Sequence, residues 1–213
     1  MVKPLHFLIR YSLVFTLIFF LSSSIYGQQS LGNLKRMAEA FVVEGRYDSA
    51  AILYGQVVQI KPKDYNSLNA KFNCEIQLKQ FELAKQDGWR LISMKDDNAN
   101  VYYLMAQIHR NLGEEDSTIE YLNLSIKTSP TYVPALKMKG EILAKGQEYN
   151  KALLIYEKLI GITSHDPEVW YMLGSCKYLS SGHIEDGCEG WRKASEMGSK
   201  KGQEMNRLYC GGR

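Results

Sequence analysis

The 213-residue chain carries almost no excess of charge of either sign, with 26 Lys and Arg against 23 Asp and Glu. Without a basic excess there is no electrostatic case for nucleic acid, where phosphate neutralisation supplies most of the affinity. Hydrophobic residues make up 45% and charged residues 23%, which excludes a disordered polymer and a multi-span membrane protein. Catalytic signatures are absent too. There is no phosphate loop, no Gly-x-Gly-x-x-Gly, no Gly-x-Ser-x-Gly and no His-Glu-x-x-His. The four cysteines, Cys74, Cys176, Cys188 and Cys210, show no Cys-x-x-Cys spacing, and the four histidines show no ligand pairing. Zinc is therefore not expected, nor any other metal or cofactor.

Acids are missing from the first residues, where Lys3, His6 and Arg10 precede an apolar run from Tyr11 to Leu21. Small and polar residues follow, through Gly27 to Gln28-Gln29-Ser30. A basic start, a short apolar core and a small residue at the break describe a secretory signal peptide, residues 1–27. An uncleaved anchor is the alternative, but a spanning helix needs about 20 apolar residues, and Tyr11 to Ile25 includes four serines. Cleavage leaves 24 basic against 23 acidic residues. An exported, periplasmic or envelope-associated protein is expected from either reading.

The remainder repeats every 34 residues. Ala50, Ala84, Thr118 and Ala152 form one series; Ala38, Phe72, Ala106, Gly140 and Gly174 a second; Leu34, Leu68, Tyr102, Leu136 and Trp170 a third. In most copies a large apolar residue is followed four positions later by a small one, which places both on one helical face and lets a second helix approach closely. Gly45 and Gly113 mark the turn between the halves, and Pro62 and Pro130 close the second helix. Each copy is then an antiparallel helix pair with an apolar seam that it cannot bury alone, so copies stack.

Leu34, Ala38, Phe41, Gly45, Tyr47, Ala50, Tyr54 and Pro62 in the first copy resemble the signature of the tetratricopeptide repeat, and the resemblance extends over about residues 31–198. The second copy departs from it, with Phe72 for the small residue and Gly88 for the later aromatic one. The fifth slips by one residue at Ser180-Ser181-Gly182, so that Gly187, Trp191 and Ala194 take the later positions. The resemblance implies an all-α, right-handed α-solenoid of about five antiparallel helix pairs, with repeats over 31–64, 65–98, 99–132, 133–166 and 167–198. A C-terminal capping helix is expected over 199–210, within one solenoid domain spanning 28–213.

In that architecture the first helix of each pair lines an inner groove. The positions one residue beyond the packing series are Lys35, Asn69, Asn73, Tyr103, Gln107, Arg110, Lys137, Tyr171 and Tyr178, with Glu39 and Glu141 among them. Aromatic and Arg composition is what binding hot spots favour, and Asn can pair with the backbone of an extended peptide; a solvated helix face is the plainer reading. Some relatives clamp acidic peptide ends with Lys then Asn on the first groove helix, whereas here Lys35 is followed by Glu39, which opposes a carboxylate.

Cys188 and Cys210 flank the turn at Gly198-Ser199. An antiparallel hairpin there brings both to one end, so a Cys188–Cys210 disulfide is expected, with Cys176–Cys188 as the alternative and four buried free thiols as the third reading. Histidines, including His109, are read as surface or partly buried residues, and Glu114-Glu115-Asp116 as the acidic start of a helix.

The expected function is that of a non-catalytic adaptor or scaffold that binds another envelope protein or an extended peptide through the groove. No small-molecule substrate is expected. The alternative is a structural protein of the envelope, self-associating or membrane-anchored through an uncleaved N-terminus. The signal segment, Trp191-Arg192-Lys193-Ala194 and the closing Tyr209-Cys210 look similar to exported envelope repeat proteins of Bacteroidetes-type bacteria.

Overall fold

The structure is a computed structural model that describes residues 30–95 and 97–211. The expected signal segment, residues 1–27, lies outside them. Eleven α-helices and no strand occur among the described residues. They pair as α1 (30–43) with α2 (Tyr47–Ile60), α3 (Tyr65–Gln77) with α4 (Phe81–Met94), α5 (Ala99–Leu112) with α6 (Glu115–Thr128), α7 (Val133–Lys145) with α8 (Tyr149–Ile162), and α9 (Pro167–Ser181) with α10 (Ile184–Glu196); α11 (Lys200–Tyr209) follows. The chain forms two compact units, one ending at Met94 and the other beginning at Lys95.

The period of 34 is visible in three layers of the backbone. Helix starts recur first: Asp64, Asn98 and Asp166 are N-caps whose side chains accept backbone N–H groups of the first turn, and Ser199 caps α11 in the same way. Each such cap contributes about 1 kcal/mol. The turn between paired helices recurs next. Gly45, Lys79, Gly113 and Gln147 have φ of 74°, 57°, 76° and 60°, and Gly182 has 77° after the slipped register. A left-handed residue lets the chain reverse while its N–H caps the last helical carbonyls, and Gly113 bonds back to Arg110 in this way. The sequence shows the glycines; Lys79 and Gln147 adopt the same conformation against the repulsion of their own Cβ atoms.

Packing recurs third. In the first unit, Ala38, Ala50, Tyr54 and Cys74 form a buried cluster flanked by Phe41, Tyr47 and Leu53. In the second unit, Ala106, Leu122, Ala135 and Met138 form one cluster, and Leu136, Ala152, Tyr156, Leu159, Val169, Leu173 and Cys176 another. Small residues set the separation. A Cβ added to Gly140 would lie 2.9 Å from the Tyr156 ring, and one added to Gly190 would lie 2.7 Å from the Gly174 Cα. The second copy exchanges the sizes: Phe72 and Gly88 are both buried, so the bulk moves from the second helix of the pair to the first. In the fifth copy Trp191 takes the aromatic place one residue late and is fully buried.

Replacing Lys79 or Gln147 by Gly removes the Cβ repulsion, offset in part by the greater freedom of Gly in the unfolded chain. Each substitution is expected to raise stability by up to about 1 kcal/mol in urea unfolding, whereas the same change at neighbouring Gln80 is expected to lower it.

Candidate functional site

The first helices of the pairs carry the polar residues expected at the groove. In the first unit, Lys35 on α1 reaches the N-cap of α3 and forms an ion pair with Asp64 at 2.5 Å. Asp64 also accepts the Ser67 N–H. In the second unit, 102 residues on, Lys137 on α7 pairs with Asp166, the N-cap of α9. Burial alone would raise both aspartates, but their lysines and the helix N–H groups hold Asp64 and Asp166 below the usual carboxylate range. One lysine thus ties one first helix to the start of the next, twice, and both lysines are engaged within the protein.

Asn73 donates from Nδ2 to the Asn69 carbonyl at 2.7 Å, and Asn69 Oδ1 is buried with no donor among the described residues. On α5, Gln107 donates to the Tyr103 hydroxyl at 2.9 Å, and Tyr103 meets Tyr132 edge-on at 5.8 Å between centroids. Burial and the nearby Glu141 carboxylate raise the Tyr103 phenol above its ordinary value. Arg110 lies 3.6 Å from Glu141 across to α7. On α9, Tyr171 lies beneath the Lys201 ammonium of α11, 5.3 Å from the ring centre, while Lys201 pairs with Glu168 at 3.1 Å. Tyr178 packs edge-on against buried Trp191, so its ring also serves the seam between α9 and α10. The second unit therefore brings Tyr103, Gln107 and Arg110 together, ties Arg110 to Glu141, and holds Tyr171 under a cation. Within it, the charges at these positions are neutralised in pairs.

The structure places Cys188 and Cys210 within bonding distance, with Cα atoms 5.6 Å apart. Cys74 and Cys176 are buried free thiols, and burial pushes the Cys176 thiol up to about 11. With Cys188 joined to Cys210, the alternative pairing of Cys176 with Cys188 is not formed.

Two polar arrangements escaped the sequence reading. His109 is buried, stacked on Tyr121 and bonded through Nδ1 to Glu114, so it is a packing residue and not a surface one. In the first unit Lys71 bridges two buried carboxylates, Glu75 and Asp87, the latter at 2.6 Å, and Arg90 supports Asp87. Burial pushes the Glu75 carboxyl up against the pull of Lys71. Burial alone would lower Lys71, but its bonds to Asp87 and Glu75 raise it. Lys71 and Glu75 line a cleft of about 580 Å³ together with Ile52 and Leu83. The i, i+4 spacing of Lys71 and Glu75 and the i, i+3 spacing of Asp87 and Arg90 are the cluster's traces in the sequence. Among the described residues no group of three or more His, Cys, Asp or Glu could hold a metal, and no helix is long and apolar enough to cross a membrane.

Residues 99–132 match the tetratricopeptide repeat model. Among curated proteins, the chain is 24% identical over 139 residues to the BBSome complex member BBS4 of Bos taurus, covering 65% of this chain and 26% of that protein. It is 27% identical over 117 residues to sperm-associated antigen 1 of Homo sapiens, covering 55% and 12%. The chain thus spans about a quarter or less of these relatives. Among solved structures, MamA is similar with a TM-score of 0.71 at 20% identity, covering 81% of this chain and 94% of that one. YrrB, described as a TPR protein with an unusual peptide-binding site, is similar with a TM-score of 0.67 at 14% identity, covering 82% and 91%.

The Lys–Asp ties generate a pH dependence. Both aspartates titrate lower in the folded chain than in the unfolded one, where about 3.8 applies. Their contribution to stability is present above that value and is lost as pH falls through the folded values. Asp166→Asn is expected to lower Tm at pH 7 and to leave it nearly unchanged at pH 2; an equal loss at both pH values would show that the charge is immaterial. With its residue-level repeat, its fold neighbours and its all-helical α-solenoid class, the chain is similar to tetratricopeptide-repeat proteins.

Proposed function

We propose that the chain is a non-catalytic adaptor that binds an extended segment of a partner protein across the first-helix face of its second unit. The observation that supports this reading most directly is the set of half-buried aromatic rings of that unit: Tyr103 and Tyr132, which meet edge-on with Arg110 near Tyr103, and Tyr171 on α9. Rings held partly open beside an Arg are the composition of binding hot spots. Their hydroxyl and amide neighbours offer donors and acceptors to a peptide main chain. The peptide-binding description of YrrB is consistent with the same use of the fold.

Charge pairing narrows the ligand. Lys137, Arg110 and Lys201 each face a carboxylate of the same unit, so an acidic tail would have to displace an internal partner. The segment bound is therefore a neutral one, recognised by aromatic contact and main-chain hydrogen bonds. Such binding changes little with salt, because exposed charges contribute little to it.

The remaining features of the reading come from the N-terminal sequence. Export through residues 1–27, with the mature chain starting at Gln28, places the partner in the periplasm or the envelope, and the Cys188–Cys210 bond fits an oxidising compartment.

The test is affinity purification with mass spectrometry from the native envelope fraction, comparing wild type with a Tyr103→Ala, Arg110→Ala, Tyr171→Ala variant of unchanged helicity. A partner held by wild type and recovered at least tenfold less with the variant is expected, with little change between low and high salt. Equal recovery by both proteins would refute binding at this face, and recovery of no partner by either would favour the structural, self-associating alternative.

A further inference from the structure

We propose that the Cys188–Cys210 bond is a reducible latch that keeps α11 docked, and that docked α11 delivers Lys201 to the Tyr171–Glu168 edge of the binding face. The proposal rests on the reading of that face for its functional meaning, but each of its steps is measurable without a ligand.

α11 has little of its own to hold it. It is ten residues long, KKGQEMNRLY, and only Gly202 among them is buried. Isolated helices shorter than about 12–15 residues are marginal in water. Leu208 and Tyr209, its two large apolar residues near the C-terminus, are 55% and 49% exposed. The pair between Lys201 and Glu168 is exposed on both sides, and such pairs contribute little. The helix lies along α10 with Met205 and Asn206 half-buried, through a close fit of Gly202 on Ala194, where an added Cβ would come within 2.7 Å of the Ala194 Cβ, and the tilted contact of Tyr209 with Trp191 at 6.0 Å. All of these are short-range contacts that act only once the helix is in place. The covalent link puts it there. It joins the first half of α10 to the residue that ends α11, closing a loop between positions 22 apart, and both cysteines retain some solvent exposure.

Docking has a consequence at the binding face. Ser199 caps α11, so Lys201 lies in its first turn, and from there its ammonium covers the Tyr171 ring and bonds Glu168. Among the described residues no other cation is paired with Glu168. Release of α11 therefore bares one aromatic ring and one carboxylate at a single position.

The chemistry needs a dithiol as co-reactant. A thiolate of the dithiol attacks one sulfur of the Cys188–Cys210 bond and forms a mixed disulfide with it, and the other cysteine leaves as a thiolate that takes up a proton. The second thiol of the reagent then displaces the first cysteine. Two electrons and two protons pass to the protein, and the dithiol becomes a disulfide. The step is open to a thioredoxin-like protein or to a small dithiol alike.

Hydrogen exchange of the full mature chain, oxidised and after treatment with dithiothreitol, tests the latch. Alkylation in denaturant confirms that two further thiols have appeared. Reduction is expected to speed exchange across residues 200–209 by about a hundredfold, the order associated with closing a loop of this size, and to leave α7 and α8 unchanged. A Cys188→Ser, Cys210→Ser variant without reductant is expected to match the reduced protein. Hydroxyl-radical footprinting of Tyr171 is expected to rise severalfold on reduction and equally in Lys201→Ala without reduction. Unchanged protection of 200–209 after reduction would overturn the latch. An equal loss of protection in α7 and α8 would overturn it too, by showing a staple of the whole unit. Release of α11 with an unchanged Tyr171 footprint would overturn the link to the binding face. Loss of partner binding in the Tyr103, Arg110, Tyr171 variant has no bearing on any of these results, so the two readings fail separately.

Discussion

Close approach between the two helices of a pair is the constraint on which the structure depends. The helices meet where one contributes almost no side chain and the other contributes a ring. Tyr156 lies against Gly140, and Trp191 lies against Gly174. At α9 and α10 the approach is closer still, backbone to backbone, through Gly174 and Gly190. Overpacking such a contact is costly because rigid backbone atoms cannot move aside as a flexible side chain can. Everything else follows from that spacing: the left-handed turn that brings the second helix back, the aspartate caps that start the next pair, and the alignment of first helices that lets Lys35 reach Asp64 and Lys137 reach Asp166.

Much of this was legible in the sequence because it repeats. The small-residue series and the glycines at 45 and 113 gave helix pairs and turns, and the Gly198-Ser199 break gave the capping helix. The turn at Lys79 and Gln147 was not legible, because residues with a Cβ adopt φ > 0 there only under pressure from the flanking pairs. The second copy looked weak because its residues depart from the pattern one by one; their exchange of bulk between Phe72 and Gly88 preserves the sum. At the candidate site, the sequence placed side chains on a face but not their partners. Lys35 and Lys137 read as groove residues, because the caps they reach, Asp64 and Asp166, share no short spacing with them. His109 read as partly exposed because the stacking ring, Tyr121, comes from the other helix of the pair. The Lys71 cluster draws on both α3 and α4; each helix carries a readable pair, but the bond from Lys71 to Asp87 that joins them has no short spacing in the sequence.

A face whose charges are already paired within the protein behaves differently from an open cluster of lysines. It has little long-range attraction for anionic ligands, so under the proposed function its selectivity would come from ring shape and main-chain hydrogen bonding at short range. The proposed latch would act at one of these rings, since the C-terminal helix places a lysine on Tyr171.

The most direct test of the packing constraint compares two glycines that differ only in their surroundings. Gly190→Ala in α10 forces a Cβ against the backbone of Gly174 and Trp170, whereas Gly161→Ala in α8 meets nothing within 4 Å. Urea unfolding is predicted to show a loss of about 1–3 kcal/mol for Gly190→Ala and a gain of up to about 1 kcal/mol for Gly161→Ala, from the higher helix propensity of Ala. A change of the same sign and size at both positions would contradict the claim that close approach between paired helices holds this fold.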